Sequence, residues 1–556
     1  MSKNLRGLSE RRGLKNSIFG EIVKSSKNSP ENNGQSIREL ADELLIGQSS
    51  ISGPRSFYDF LRSGHKGKKL FVCNGTACLT SGKQEKLRRE LSARFKDDEI
   101  GTVTCLGHCH TNNAFMYKGE TFSLSDLSML DDKLASSVPA SSPFHTFTNV
   151  ENPPLLSEIK DLQEYYGLLS EVCVNIPGAL KEIELSALRG RGGAGFPFYI
   201  KIKSAADAVS DKKYVVCNAD EGDPGAFSDK WILEERTHAL LFGMLITGLV
   251  TGADTGVVYI RGEYPESVAA VKSAAEQIDK EGYTLFKMAG NETRFRFHVV
   301  EGAGAYICGE ETSLLNSLEG LRPEVRTRPP FPAQYGLFGK PTVLSNVETF
   351  ANIRYILKEG GAAYSDLGTK KSAGTKLVSL DGGFVKPGIY EVRMGTPLEV
   401  VFNNMGGGTR YPVKAFQIGG PLGGIVPMSR VGDLRLDFES FSEEGFLLGH
   451  AGVVSIPEEF PMIEYLLHLF EFMSAESCGK CFPCRIGTEM GSDLLRRAVD
   501  RKEKINSELF SDLLETLQYG SLCALGGGLP LPVVNAMNYF NDELEEFFTV
   551  KNITHE

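Results

Sequence analysis

Cys478, Cys481 and Cys484 stand in ESCGKCFPCRIG as a C-x2-C-x2-C triplet, and Cys523 follows alone in GSLCALGGG. Three thiolates on one tight turn can each reach a different iron of a cubane while a distant fourth closes the site, the ligand pattern of a [4Fe-4S] cluster. Structural zinc more often draws its cysteines from two separated C-x2-C pairs, so this quartet favours electron transfer over zinc. A second quartet lies toward the other end, with Cys73 and Cys78 in FVCNGTACL and Cys105 and Cys109 in VTCLGHCH. Two pairs supply two thiolates to each iron of a [2Fe-2S] cluster. A four-thiolate zinc site stays open as the alternative here. His108 and His110 flank Cys109, but four cysteines already fill the coordination, so both are expected as solvated loop residues.

The other cysteines, Cys173, Cys217 and Cys308, are single, and the whole set does not resemble a disulfide framework; a reducing, cytoplasmic location is expected. LFGMLITGLVTGA is too short and too glycine-rich to span a bilayer and reads as a buried helix. Paired arginines in SERRGLKNSIFGEIV are not followed by the apolar stretch of an export signal, and Glu10 and Glu21 argue against a transit peptide. A net charge of -11 disfavours a nucleic-acid surface. The length of 556 residues suggests roughly three to five domains.

These sites need elements to hold them. Residues 1–35 are polar and basic and are expected as a loosely ordered arm, followed by a short helical segment over 36–65, where Ile37, Leu40, Leu44 and Leu45 share a stripe. Over 66–135, KKLFVC reads as a strand, KQEKLRRELSARF as a helix, and EIGTVTC and AFMYKG as strands. A βαββ unit with cysteines at its strand ends suggests a thioredoxin-like layer. Residues 136–164 are Ser- and Pro-rich at their start and are expected as a linker.

Two glycine clusters follow. GRGGAG, from Gly190 to Gly195, matches G-x-G-x-x-G, but the preceding PGALKEIELSAL looks helical and KKYVVCNADEGDPG follows as strand then loop, so the strand-before, helix-after context of a Rossmann fingerprint is missing. A plain turn is the competing reading. Lys201 just beyond could meet a phosphate, and NADEGDPGAF places Asn218, Asp220, Glu221 and Asp223 directly after a predicted buried strand, where ligand contacts collect. EGAGAYICGEETSLLNSLEG sets Gly302, Gly304 and Gly309, then Glu310 and Glu311, ahead of a helix. Its amides could approach a planar cofactor or an anion, or could simply form a helix-capping turn.

Together LRGRGGAGFP, YVVCNADEGDPGAF, GAGAYICGEETSLLNSLEG, RPPFPAQYGLFGKPTVLSNVETFANI, ESCGKCFPCRIG and GSLCALGG resemble the NADH-binding flavoprotein subunit of respiratory complex I and its relatives in soluble hydrogenases and NAD-dependent formate dehydrogenases. The resemblance spans residues 165–548 nearly without a gap, and residues 66–130 separately resemble the thioredoxin-like [2Fe-2S] domain that complex I carries on a partner subunit. It implies a mixed α/β multidomain chain: a thioredoxin-like [2Fe-2S] domain, an α/β FMN- and NAD(H)-binding domain over 165–370 with non-Rossmann glycine-rich loops, a β-grasp insert over 371–460, a helical bundle over 461–548 holding the [4Fe-4S] cluster, and a tail at 549–556.

By the same resemblance, Gly190, Gly192, Lys201, Asn218, Asp220, Gly309, Glu310, Ser345, Asn346 and Thr349 would bind FMN, while Phe196, Asp223, Tyr306, Glu311, Arg328 and Phe331 would line the NAD(H) side. The chemistry agrees with that division: a nicotinamide gives up two electrons as a hydride and a cluster accepts one, so a flavin belongs between them. No residue need act as acid, base or nucleophile, although Glu311 would lie nearby. Phe196 and Phe331 could stack the adenine; core packing is the other reading for both. The chain departs from the family pattern at GFPFYIKI, where Phe198, Tyr199 and Ile202 stand for Thr, Gly and Trp, and at Ser204, Asp223, Arg328 and Ser345. These changes are expected to reshape the entrance to the nucleotide pocket.

The resemblance implies an NADH:acceptor oxidoreductase, or diaphorase, subunit that passes electrons to other chains of a soluble NAD-linked complex. The partners would be a small [2Fe-2S] subunit and a catalytic iron-sulfur subunit. QIGGPLGGIVP, LRLDFESF and LLGHAGVVSI look closest to the formate dehydrogenase branch, with NAD-reducing or bifurcating hydrogenase as the alternative. A scaffold that has lost flavin and a zinc-binding assembly protein are the readings from other classes.

Overall fold

In the computed structural model, residues 3–28, 34–65, 67–124, 127–135, 144–157, 162–288 and 291–549 are described. The element that positions the main cavity is a four-stranded sheet in the order Arg296–Glu301, Thr255–Ile260, Tyr214–Ala219, Thr342–Asn346, with every neighbouring pair parallel. Parallel strands are covered on both faces, and these carry the matching runs YVVCNA, TGVVYI and TVLSN. Their side chains alternate between two cores: Val215, Cys217 and Val343 enter one, and Tyr214, Val216 and Leu344 enter the other.

The first core is built on the helix Thr237–Thr251, in which every residue except His238 is buried, as expected for LFGMLITGLVTGA. Gly243 in this helix has to be glycine, because a Cβ there would stand 2.0 Å from the Phe350 carbonyl oxygen. No helix among the described residues is long and apolar enough to cross a membrane.

Chain order in the sheet reverses at Tyr214–Ala219: the next strand lies on one side, and the last strand to be added, Thr342–Asn346, lies on the other. Such a switch point opens a crevice at the carboxyl ends of its strands. Asn218 and Asn346 are register partners there.

Around this sheet stand smaller units. The first cysteine segment forms a sheet in the order Ile100–Val103, Leu70–Cys73, Ala114–Tyr117, Glu120–Ser123, parallel at the first pair and antiparallel afterwards, with the helix Gln84–Ser92 between its first two strands in sequence. A six-stranded sheet contains Thr375–Leu380, Gly388–Arg393, Val413–Ile418, Ile425–Pro427 and Gly452–Pro457, and its last member is Thr146–Thr148. That strand comes from the expected linker and pairs in parallel with Gly388–Arg393, so this part of 136–164 is structured; residues 136–143 and 158–161 lie outside the described residues. The sheet is tied to the helix Val347–Ala351 by Lys376 and Glu348, an ion pair with both side chains at 0% exposure. The helices Met462–Glu476, Phe482–Arg501, Ser507–Gly520 and Pro530–Tyr539 form the C-terminal bundle.

The expectation of a loosely ordered arm over 1–35 is corrected. Lys3–Arg12 and Ile18–Asn28 are helices, and Ile18, Phe19 and Ile22 are buried in the second core. The polar composition masked a short apolar stripe in IFGEIV. Phe19 packs 5.3 Å from the Tyr58 ring, and Gly320 leaves room for Ile18, whose Cβ would lie 2.6 Å from a Cβ at that glycine. Arg6 bonds the fully buried Glu319 carboxylate at 2.9 Å, which Arg326 also holds at 2.9 Å. Residues 29–33 lie outside the described residues. Phe19→Ala is expected to cost about 3–5 kcal/mol of local stability, seen as an earlier first thermal transition and faster proteolysis near residue 28; an unchanged digestion pattern would show that the stripe does not hold the segment.

Candidate functional site

The switch-point crevice opens into a cavity of about 920 Å³, large enough for a dinucleotide or a flavin. Gly190, Gly192, Lys201, Asn218, Asp220, Gly309, Glu310, Ser345 and Asn346 line it, together with Phe196, Asp223, Tyr306, Glu311, Arg328 and Phe331. Thr349 does not. It is fully buried, its Oγ1 accepts the Arg191 amide at 2.9 Å and bonds Asn346 Oδ1, so it braces the glycine loop and Asn346 from behind.

The loop Gly190–Gly195 follows one helix, Ile176–Leu185, so it is not a strand-first fingerprint, but the helix Phe198–Asp207 directly after it corrects the expectation that a strand comes next. It closes on itself through the Gly190 amide and the Phe196 carbonyl at 2.8 Å, and Gly193 takes φ +117°. A Cβ at Gly192 would press on Asn346 at 3.1 Å, whereas Gly190 and Gly309 would meet nothing closer than 3.6 and 3.4 Å. Bare backbone therefore faces the cavity from two sides. Asn218 bonds the Gly309 carbonyl at 2.8 Å, linking the two glycine segments.

Glu310 accepts the Thr312 and Ser313 amides at 2.9 Å each, so one carboxylate oxygen caps the helix Glu311–Leu318. Glu311 sits between cations, 3.1 Å from Lys201 and 2.8 Å from Arg328. Phe196 and Phe331 are 46% and 53% exposed at the mouth, which rules out the core-packing reading and leaves two aromatic faces free to stack. Of the substituted family positions, Phe198, Ser204, Asp223, Arg328 and Ser345 line the cavity, Phe198 also packing edge-on to Phe350 at 5.6 Å, while Ile202 is buried in the core. Ile202 and Tyr199 are the substituted positions that do not line the cavity.

The residues fit a flavin. Asn346 Nδ2 is buried with no partner, and the glycine backbone and Lys201 border the same space, which suits a polar planar ring carrying a phosphate. Burial pushes the Asp220 carboxyl well up and raises Asp223, against which the Tyr306 hydroxyl donates to Asp223 at 2.6 Å. Tyr306 also donates its amide to Glu476 at 2.9 Å, and burial pushes that carboxyl up to about 8.

Glu476 ends the helix before the cysteine loop. Cys478 and Cys481 lie on that loop, and Cys484 lies in the first turn of Phe482–Arg501. Cys523 caps a short helix beyond Ser507–Gly520. Gly526 lets that helix approach, since a Cβ there would stand 2.8 Å from Cys484 Cβ. Burial pushes the Cys484 thiol up to about 11 and Cys523 up to about 12, so thiolates at this place need a cationic partner, which iron supplies. Cys523 also lines the cavity, so the two sites share a wall.

Cys73, Cys78, Cys105 and Cys109 are buried together. Cys105 and Cys109 Sγ lie 3.6 Å apart, and a hydrogen bond with Cys78 pulls the Cys73 thiol down to about 7. The Gly225 amide donates to Cys109 Sγ at 3.3 Å, from the segment that carries Asp223 into the cavity. His108 and His110 correct the expectation of solvated loops: both are buried, His108 bonding Thr121 at 2.9 Å and His110 packing 5.1 Å from both the Phe144 and Phe227 rings.

Sequence reasoning missed Asp229 and His450. His450 Nε2 lies 3.2 Å from Asp229 and 3.7 Å from Glu221, and all three line the cavity. The signal was a lone histidine between small residues in LLGHAG, but its partners stand far away in sequence. Burial opposes charge on His450, yet Asp229 outweighs it and the imidazole is pushed up to about 9. Since this folded value lies above the ordinary 6.5, the pair stabilises fully below about pH 6.5 and loses that contribution as pH rises through about 9. The gap in unfolding temperature between wild type and H450Q is expected to be widest near pH 6.5 and to close toward pH 9–10; a pH-independent gap would show the imidazole to be neutral.

The Nuo51 FMN-binding domain matches residues 183–355, and the NADH-ubiquinone oxidoreductase-F iron-sulfur binding region matches residues 464–547. The chain is 40% identical to an F-type subunit of NADH-quinone oxidoreductase from Rhizobium meliloti over 71% of its own length and 95% of the relative. It is 31% identical to the alpha subunit of the NAD-reducing hydrogenase HoxS of Cupriavidus necator over 93% and 89%. A crystal structure of an NAD+-reducing [NiFe]-hydrogenase superposes with a TM-score of 0.84 at 26% identity, covering 96% of this chain and 93% of that one. With its FMN and [4Fe-4S] regions both matched, the chain belongs to the family of NADH-oxidising FMN and iron-sulfur subunits that includes the F-type subunits of NADH-quinone oxidoreductase and the corresponding subunits of NAD-reducing hydrogenase.

Proposed function

We propose that this chain is the electron-input subunit of a cytoplasmic NAD-linked complex, taking electrons from NADH into its cavity and delivering them through its cysteine sites to a catalytic partner. One observation carries the reading: a single cavity is bordered by the glycine loops, by two exposed aromatics and by Cys523, and it connects through Asp223 and Gly225 to Cys109. Bound FMN supplies the conversion between hydride and single-electron chemistry.

The chain's own residues do the rest. Gly190, Gly192 and Gly309 admit the ring against backbone, Asn218, Ser345 and Asn346 offer polar atoms to its edge, and Lys201 offers a cation to its phosphate. Asp220 lies beside this edge, and Glu310, whose second oxygen stands 3.9 Å from Arg328, borders the same space. Phe196 and Phe331 hold the adenine, Glu311 and Arg328 border the nucleotide, and the Asp223–Tyr306 pair closes its inner end. Cys478, Cys481, Cys484 and Cys523 hold the [4Fe-4S] cluster. Cys73, Cys78, Cys105 and Cys109 hold a [2Fe-2S] cluster, which the Gly225 hydrogen bond to sulfur suits.

The partner docks near Cys481. Phe482, Ile486 and Met490 form an exposed stripe along one face of Phe482–Arg501, at 67%, 42% and 47% exposure, beside the cluster loop. Hydrogenase is the partner class that the relatives' names support; formate dehydrogenase is the class that QIGGPLGGIVP, LRLDFESF and LLGHAGVVSI suggest. In the complex isolated anaerobically, hydrogen is expected to reduce NAD+, and F331A to raise the NADH concentration at half-saturation about tenfold with FMN content unchanged, since stacking on a base is worth about 1–3 kcal/mol. Formate-dependent reduction would reassign the partner, and an unchanged half-saturation would remove Phe331 from the nucleotide site.

A further inference from the structure

The N-terminal helix Lys3–Arg12 meets the segment Arg326–Phe338, which carries Arg328 and Phe331 to the cavity. Both ends of that segment are fastened to Glu319, whose side chain is 0% exposed. At one end Arg326 lies 2.9 Å from Glu319 Oε2 and its amide donates to Thr312 Oγ1 at 2.8 Å; at the other, the Phe338 amide donates to Glu319 Oε1 at 2.8 Å. Arg6 completes this clamp. Its Nε donates to Glu319 Oε2 at 2.9 Å, a terminal nitrogen donates to the Tyr335 hydroxyl at 3.0 Å, and its guanidinium stands 5.2 Å from the centre of the Tyr335 ring. Tyr335 ends the short helix Pro332–Tyr335, in which the Gln334 and Tyr335 amides both donate to the Phe331 carbonyl at 2.9 Å. A single residue therefore stands between Arg6 and the Phe331 backbone. Arg6 is itself anchored, because Leu5 and Leu8 pack on the second core, Ser9 is fully buried and Glu10 lies 3.7 Å from Lys340.

We propose that Arg6 is a positioning residue for NADH binding: by gripping Tyr335 and Glu319 together, it holds the Phe331 backbone so that the ring is in place before the adenine arrives. The proposal rests on reading Phe331 as the platform for the adenine. With its ring 53% exposed at the cavity mouth, Phe331 depends on its backbone for its position. A platform ordered in the free protein binds more tightly than one that must be ordered on binding, because the ordering entropy is no longer charged to the ligand. The N-terminal segment thus acts on the nucleotide site without touching the nucleotide. A residue that only stabilised the fold would change how much protein is folded, and would leave the NADH dependence of the folded protein as it was.

The test is steady-state NADH oxidation by the full-length holoprotein with ferricyanide as acceptor, with FMN content measured first. R6A is expected to raise the NADH concentration at half-saturation about threefold with kcat retained, the change that one exposed contact between a cation and a ring is worth. Y335L, which leaves the Arg6–Glu319 pair in place, should raise it to a similar degree, and R6K, which keeps the cation, should recover most of the wild-type value. In the F331A background R6A should add nothing, because the ring that it places is gone. If R6A does not accumulate as holoprotein, Y335L and Y335L/F331A make the same comparison. A wild-type half-saturation in R6A or Y335L, a value in R6K as high as in R6A, or a further threefold rise on adding either change to F331A would overturn the proposal. Loss of FMN from R6A and Y335L alike would overturn it by making the contact a support of the whole cavity. A wild-type half-saturation in F331A itself would instead remove Phe331 from the nucleotide site, and the proposal with it.

Discussion

Everything in the site depends on how the chain leaves the strand Tyr214–Ala219 at the point where the order of the parallel sheet reverses. Between Asn218 and Gly225 it bonds the second glycine segment through Asn218, caps the following helix through Glu221, meets Tyr306 through Asp223 and donates to Cys109 Sγ through Gly225. Gly225 adopts φ +95°, and a Cβ there would lie 2.6 Å from Val454 Cγ2, so any other residue would be strained in its backbone and would press on the Val454 side chain. One short segment therefore fixes the distance between the nucleotide side of the cavity and the first cysteine quartet.

The rest of the architecture keeps that segment rigid. One face of the central sheet is sealed by the apolar helix Thr237–Thr251; the other is continuous with the N-terminal helices and with the C-terminal bundle that carries the second quartet. The Lys376–Glu348 pair, wholly withdrawn from water, locks the six-stranded sheet to the flavin side. Removing one partner of such a pair costs about 3–5 kcal/mol because the other charge is left bare. A rigid frame suits electron transfer, in which the sites must keep their spacing while only charge moves, and burial raises the carboxyls of Asp220 and Asp223 in the cavity wall and of Glu476 behind Tyr306.

The cysteines are the most legible part of the sequence, because ligand spacing is local and its meaning survives without a fold. The glycine loops are half legible: their composition announces close backbone approach, but GRGGAG matches a fingerprint while following a helix instead of a strand, and only the family resemblance assigns it. Thr349 reads as a cofactor ligand through the family resemblance alone, whereas packing turns its hydroxyl toward the backbone of Arg191. His450 and Asp229 are invisible for a different reason: 221 positions separate them, and neither carries a pattern until the fold joins them. The N-terminal helices are hidden by composition, since three buried side chains in a charged segment are enough for docking but too few to show as periodicity.

The account claims that electrons enter at one cavity and leave through two cysteine sites, and anaerobic titration of the purified chain with NADH tests this most directly. Flavin and iron would be quantified on the same sample, and absorption and electron paramagnetic resonance followed through the titration. The account predicts one FMN, about six irons per chain, bleaching of the flavin by NADH, and signals from reduced clusters of both the two-iron and the four-iron kind. Iron without flavin, or flavin that NADH does not bleach, would contradict it.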